Sequence, residues 1–226
     1  MMTDERPPPR GPALSGERRR RRYLEAAART FIRLGYEGAS MRLIAAEAGT
    51  HTGVLTYHWE NKEALFRDVF DIWLGPVQAD QREGLETCRR QLDRGGPIGL
   101  RDVIAALIEP SMIVGGQTES DAEHARLLYG RALTEPSEVV VGLMAELFQD
   151  TTVLLVDLVR RLLPHYDDEL LHWLFASALG VSIFPQSFGE RVSTATERPK
   201  SDPDWRRASS IVIDFVVRGL EVPDRG

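Results

Sequence analysis

Residues 40–65 read SMRLIAAEAGTHTGVLTYHWENKEAL. The stretch predicts two short amphipathic helices around one glycine, followed at once by the start of a third. Ser40 is a good N-cap, because its hydroxyl can accept from a free backbone N–H of the first turn. Met41, Ile44, Ala45 and Ala48 fall at i, i+3, i+4 and i+7, one face of a helix. Gly49 follows the last periodic residue, where a left-handed residue ends a helix cheaply. The next helix is expected from about Thr50 to Trp59, with Leu55 and Trp59 inward. Histidine is a poor N-cap, so Thr50 rather than His51 is expected to cap it. Gly53 falls in its first turn, where a glycine costs roughly 1 kcal/mol relative to alanine. Close backbone packing would explain it. Asn61 can cap the third helix, which carries Leu65, Val69 and Ile72 with Phe66, Phe70 and Trp73 interleaved. This is the geometry of a helix-turn-helix, which lays a helix into the DNA major groove.

Charge distribution supports that reading. The net charge of −6 and the pI near 5.5 disfavour a polyanion partner for the chain as a whole. Yet residues 1–62 hold 11 Lys and Arg against 7 Asp and Glu, a net +4, which leaves −10 on the remainder. Phosphates are drawn to one end and repelled from the other.

The stretch resembles the DNA-binding end of the tetracycline-repressor (TetR) family of bacterial regulators. The resemblance rests on Ser40, Arg42, Ile44, Ala45, Ala48, Gly49, Gly53, Leu55, Tyr57, His58, Trp59, Lys62 and Leu65. Upstream, AAARTFIRLGYEGASM at 26–41 is similar to the family's first helix and following loop, with Ala27, Phe31, Gly35 and Tyr36 in place. The resemblance covers roughly Arg18 to Val69. Two departures, Thr56 for a common tyrosine and His51 for a common serine, bear on the operator sequence and not on the fold.

The rest of the chain reads as helix. A first helix is expected from about Gly16 to Leu34, with Leu24, Ala27, Ala28, Phe31 and Ile32 buried. Before it, residues 1–16 contain RPPPRGP and are expected to form a flexible arm. Arg18 to Arg22 lie in the first turns, either as a solvated face or as a contact to DNA phosphate. The third helix of the motif should run on to Gln81, kinked at Leu74–Pro76, and continue over 82–93. Further helices are expected at 99–114, 121–133, 136–163, 167–187 and 204–220, with a polar loop over 187–203. No period-2 strand pattern or internal repeat is present. The expectation is an all-α chain of nine or ten helices: an arm at 1–16, a helix-turn-helix domain at 17–62, and a helical effector-binding and dimerisation domain at 63–226.

Several chemistries find no support. The nucleotide-binding, nucleophile-elbow and zincin patterns are missing from the sequence, so no catalytic residue, cofactor or metal site is expected. His51 and His58 are seven apart with no carboxylate or cysteine beside them at ligand spacing. His165 and His172 are likewise seven apart, near Asp167 and Asp168, and for both pairs solvent, capping or DNA contact is expected rather than a metal. The single cysteine, Cys88, can make no internal disulfide and reads as an inert helix residue, which fits a reducing cytoplasm. The N-terminus has no signal-like apolar region. No apolar run approaches the roughly 18 residues that a membrane helix needs.

Position in the resembled motif implies that Arg42, Thr52, Gly53, Val54, Thr56 and Tyr57 face the major groove. It also implies that Ser40, Tyr57, His58 and Lys62 hold phosphates, with a partly buried Tyr57 as the alternative. A double-stranded operator, a second copy of the chain and a small-molecule effector are the partners the resemblance implies. For the homodimer, the apolar segments 169–188 and 207–220 supply Leu170, Trp173, Leu174, Ser177, Val181, Val212 and Phe215. For the effector, the middle helices supply Phe70, Trp73, Ile108, Met112, Tyr129, Met144 and Phe148, with His124 and Arg131 as polar groups. The third helix of the motif, with Lys62 at one end and Trp73 at the other, would couple effector to DNA. Two other classes compete with a ligand-released repressor: a helix-turn-helix protein without a ligand pocket, and an all-α enzyme or carrier.

Overall fold

The computed structural model describes residues 12–114, 118–197 and 204–221, with side chains undescribed at 12–15 and 187–193. Among the described residues there are ten α-helices and no strand. They are α1 Pro12–Gly38, α2 Met41–Glu47, α3 Thr52–His58, α4 Lys62–Trp73, α5 Gly75–Asp93, α6 Leu100–Met112, α7 Glu119–Thr134, α8 Glu138–Leu162, α9 Asp168–Ala195 and α10 Trp205–Leu220. Packing divides the chain into two units, Met1–Val69 and Phe70–Gly226, a division that falls inside α4.

The first unit is built on an aromatic and small-residue core. Gly35 leaves helical geometry inside α1, at φ 73° and ψ 177°, so the regular helix stops at Leu34 as its sequence implies. Phe31, Tyr36 and Phe66 cluster, with ring centroids 4.6 to 6.2 Å apart. Leu24, Ala27 and Ala28 are buried as well, while Ile32 is only half-buried. Of the expected arm, residues 1–11 lie outside the described residues and 12–16 belong to α1.

Helices α5, α6, α8 and α10 of the second unit share an apolar core cluster. Leu85 and Cys88 of α5, Ile104, Ile108 and Met112 of α6, Leu158 of α8 and Ile213 of α10 share it. Caps set the helix starts. Thr118 accepts from the Asp121 N–H at 3.1 Å, Asp167 from Leu170 at 2.7 Å, and Asp204 from Arg207 at 3.0 Å. At Gly84 the α5 backbone approaches α6 so closely that an added Cβ would stand 3.0 Å from the Ala106 Cβ.

Three expectations change. The kink at Leu74–Pro76 is a helix boundary, with Pro76 in the first turn of α5, where its missing N–H costs nothing. The loop expected over 187–203 is helical as far as Ala195, because α9 continues through Pro185; residues 198–203 lie outside the described ones. α8 is, by length and composition, apolar enough to cross a membrane, with a mean hydropathy of 1.7. Its spaced acidic residues hide this from a search for unbroken apolar runs. Val140, Leu143, Leu154 and Leu158 turn inward, as in a core helix.

Candidate nucleic-acid interface

The turn between α2 and α3 is formed as its sequence requires. The Ser40 Oγ accepts from the Leu43 N–H at 3.2 Å. Gly49 has φ 63°, and the Thr50 N–H reaches back to the Ala45 carbonyl at 2.9 Å, the six-residue closure of a Schellman turn. α3 then begins at Thr52, with His51 in the N-cap position and no side-chain cap bond. Neither His51 nor Thr50 caps this helix. Leu55 and Trp59 are buried as expected, at 0% and 3% exposure.

The outer face of α3 is open. Tyr57 is 86% exposed, so it is not part of the core. Gly53 is exposed, and a Cβ added there would meet nothing within 4 Å. Its glycine therefore serves no packing inside the domain. The Thr56 hydroxyl donates back to the Thr52 and Gly53 carbonyls, which leaves its methyl outward. Arg42 of α2 is exposed on the same unit and makes no ion pair with any described residue. Val54 and Thr52 are half-buried. His58 packs beside the Tyr23 and Trp59 rings, at 5.8 and 5.5 Å.

Lys62 departs from expectation. Its ammonium donates to the carbonyls of Tyr36 at 2.8 Å and Ala39 at 3.3 Å, and lies 4.0 Å from the Tyr36 ring centroid. The loop after α1 presents those carbonyls beside the start of α4, so the cation binds them instead of reaching outward. The Arg18–Arg22 run is likewise partly engaged. Arg20 pairs with Asp68 and lies over the Trp59 ring, Arg21 pairs with Glu25, and Arg22 lies over Tyr23. Asp68 also accepts from the Trp59 indole N–H at 2.5 Å. This Arg20–Asp68–Trp59 arrangement holds the end of α3 to α1 and α4. Sequence reading missed it, because the three residues come from separate helices.

Residues proposed for the second unit separate into groups. Trp73 donates to Asp121 at 3.0 Å and packs beside His124. Tyr129 meets Phe148 edge-on at 5.6 Å. Phe70, Ile108, Met112 and Met144 are buried. Arg131 is paired at 3.0 Å with Glu135, the residue that caps the C-terminus of its own helix. Of the dimer candidates, Leu170, Trp173, Ser177 and Phe215 are exposed. Leu174 and Val181 pack on the core, and Val212 is buried within it at 7% exposure. Phe184, Ile211 and Leu179 are exposed apolar residues that periodicity alone did not single out. No cluster of metal-ligating side chains occurs among the described residues.

An exposed recognition helix on a capped three-helix unit, joined to an all-α body, defines the class: a helix-turn-helix DNA-binding regulator. Comparison with known proteins makes it specific. Residues 24–69 match the family described as bacterial regulatory proteins, tetR family, and residues 105–219 match the tetracyclin repressor-like C-terminal domain. The chain belongs to the TetR family of transcriptional regulators. The regulator RutR of Escherichia coli K12 is 37% identical over 65 residues, 27% of this chain and 31% of RutR. YhgD of Bacillus subtilis is 32% identical over 68 residues, 30% of this chain and 36% of YhgD. The match thus spans about a third of each relative. A transcriptional regulator of Pseudomonas aeruginosa PAO1 shares the fold, with a TM-score of 0.53 and 24% identity over 91% of both chains.

Proposed function

We propose that this regulator is a cytoplasmic homodimeric repressor, released from a palindromic operator by a small-molecule effector, and without catalytic activity. The observation that carries the DNA half of this reading is the open outer face of α3, where Gly53 leaves backbone uncovered between Thr52, Val54, Thr56 and Tyr57. Arg42 reads a guanine edge with its fork, and the threonine and valine methyls suit thymine. Ser40, Tyr57 and His58 meet phosphate.

The homodimer rests on an apolar stripe. Leu170, Trp173, Ser177, Gly180 and Phe184 follow one another at three- and four-residue steps along α9, and Ile211 and Phe215 at a four-residue step along α10. Trp173 and Phe215 are 63% and 64% exposed, which is costly in water for side chains of that size.

Release is a matter of linkage. An effector must bind the DNA-free dimer more tightly than the operator complex, by the same factor by which it weakens DNA binding. A salt-dependent shift on palindromic DNA tests the first half, and calorimetry on free and operator-bound protein tests the second. Equal affinities would overturn the inducer reading. The tight burial of Trp73, Ile108 and Met112 favours a second reading, a regulator controlled by a protein partner. A ligand that abolishes the shift would exclude it.

A further inference from the structure

Two buried carboxamides in the second unit are half-satisfied. Gln81 of α5 is wholly buried, and its Nε2 donates to the Leu107 carbonyl at 2.6 Å. Gln186 of α9 is 6% exposed; its Nε2 donates to the Ser182 carbonyl at 2.9 Å and contacts the Ser111 Oγ at 3.4 Å. In both, the donor side is used and the acceptor is not. The Oε1 atoms of Gln81 and Gln186 have no hydrogen-bond partner among the described residues. The amide orientation is fixed in each case, since a flipped group would set oxygen against a carbonyl. A buried acceptor without a donor is disfavoured, so such atoms call for a partner.

Both carboxamides bond to one stretch of α6. Leu107 and Ser111 are one turn apart on α6, about 6 Å along its axis. Pro110 lies between them in the helix interior, and Pro185 directly precedes Gln186 in α9. A proline inside a helix removes a backbone donor and loosens the preceding turn. Two such interruptions adjoin the same polar patch. Tyr129 lies beside Gln81: burial raises its phenol above the ordinary range, opposed by the Gln81 amide N–H, which donates toward the phenol oxygen. The Phe148 ring stands against Tyr129. Local rules of helix and core construction are broken here together, as at sites kept for binding.

We infer that Gln81 and Gln186 are the polar recognition groups of the effector site, and that they select an uncharged, largely apolar molecule bearing hydrogen-bond donors. This rests on the ligand-released reading above. Both vacant atoms are acceptors, so carboxylates and phosphates are repelled. A cation would be buried without a counter-charge. A hydroxyl or amide N–H supplies what the oxygens lack, and the surrounding aromatic and aliphatic side chains take the rest of the molecule.

Phenol, toluene and benzoate test this on the full-length protein, because phenol and toluene differ little but in the donor. Saturable phenol binding by calorimetry, at least tenfold tighter than toluene and with no benzoate binding, is expected. Gln81→Met and Gln186→Met should bring the phenol-to-toluene ratio toward one. That ratio is independent of any loss of stability, and circular dichroism checks that each variant is folded. No phenol binding, or a ratio unchanged in both variants, would overturn the assignment. Operator release separates the two readings. Phenol that binds through the glutamines without freeing DNA would leave this site standing and remove the inducer role. Release by phenol and toluene alike, insensitive to both substitutions, would do the reverse.

Discussion

Gly53 and Gly49 differ in a way that separates folding from function. At Gly53 the helix is regular and the space beside it is open. Gly53→Ala is therefore expected to raise stability by about 0.5–1 kcal/mol, through helix propensity, while weakening operator binding, because the new methyl stands where backbone must approach DNA. Thermal melts and a gel shift read the two effects separately. Higher stability with unchanged DNA affinity would remove Gly53 from the interface. At Gly49 the strain is conformational: φ is 63° and there is room for a methyl. Gly49→Ala should destabilise by about 1 kcal/mol with no change in base preference. Arg42→Ala should cost about 1–3 kcal/mol on the operator and relax preference at one position. Cys88 is buried, and burial raises its thiol above the usual range, so the folded protein should resist thiol reagents that label it after unfolding.

At the scale of elements, charged side chains tie neighbouring helices together. Glu47 of α2 takes Arg29 and Arg33 of α1 at 3.1 and 3.4 Å. The Arg29 hydrogen bond, aided by both charges, holds its carboxyl below the ordinary value. A carboxylate lowered in this way contributes stability above its unfolded pKa and loses it as pH falls through the folded pKa. Melting temperatures of the wild type and Glu47→Gln should thus differ near neutrality and converge in acid. A gap constant over that range would show that the pair has no electrostatic role. Lys62 makes the second junction. Lys62→Met should lower stability by about 1.5–3 kcal/mol, the scale of hydrogen bonds to a charged group. The salt slope of DNA binding should stay unchanged, where loss of a phosphate contact would lower it by about one unit. The helices themselves were legible in the sequence because caps and periodicity are local: Ser40, Asn61 and Gly49 sit where their chemistry requires. Lys62 was not legible, because its partners are carbonyls 23 and 26 residues earlier.

For the whole molecule, the exposed stripe on α9 and α10 carries the assembly prediction. Trp173→Arg with Phe215→Arg should yield a folded monomer by light scattering, since a dimer would bury two unpaired charges per subunit. Operator affinity should fall with it, because two half-sites are then no longer bound together. A double variant that remains dimeric would place the contact elsewhere. Leu174 and Val212 are unsuitable for this test. They pack in the core, and their replacement would unfold the subunit instead.

The sequence by itself determined the all-α architecture and the helix-turn-helix, because helix propensity, capping and apolar period act over a few residues. It also determined the family, through residue types at fixed spacing in one short stretch. Only the tertiary structure decided which side of each apolar helix is covered. α9 is apolar nearly all round, so periodicity could not tell Trp173, which faces outward, from Leu174, which packs inward. The structure likewise decided which cations are committed within the domain, as Lys62 and Arg20 are, and which stay open, as Arg42 does. It also brought Gln81 and Gln186 to one stretch of α6. The physical reason is the same throughout: a side chain's neighbours come from helices distant in sequence, and burial and partnership are properties of the packed assembly.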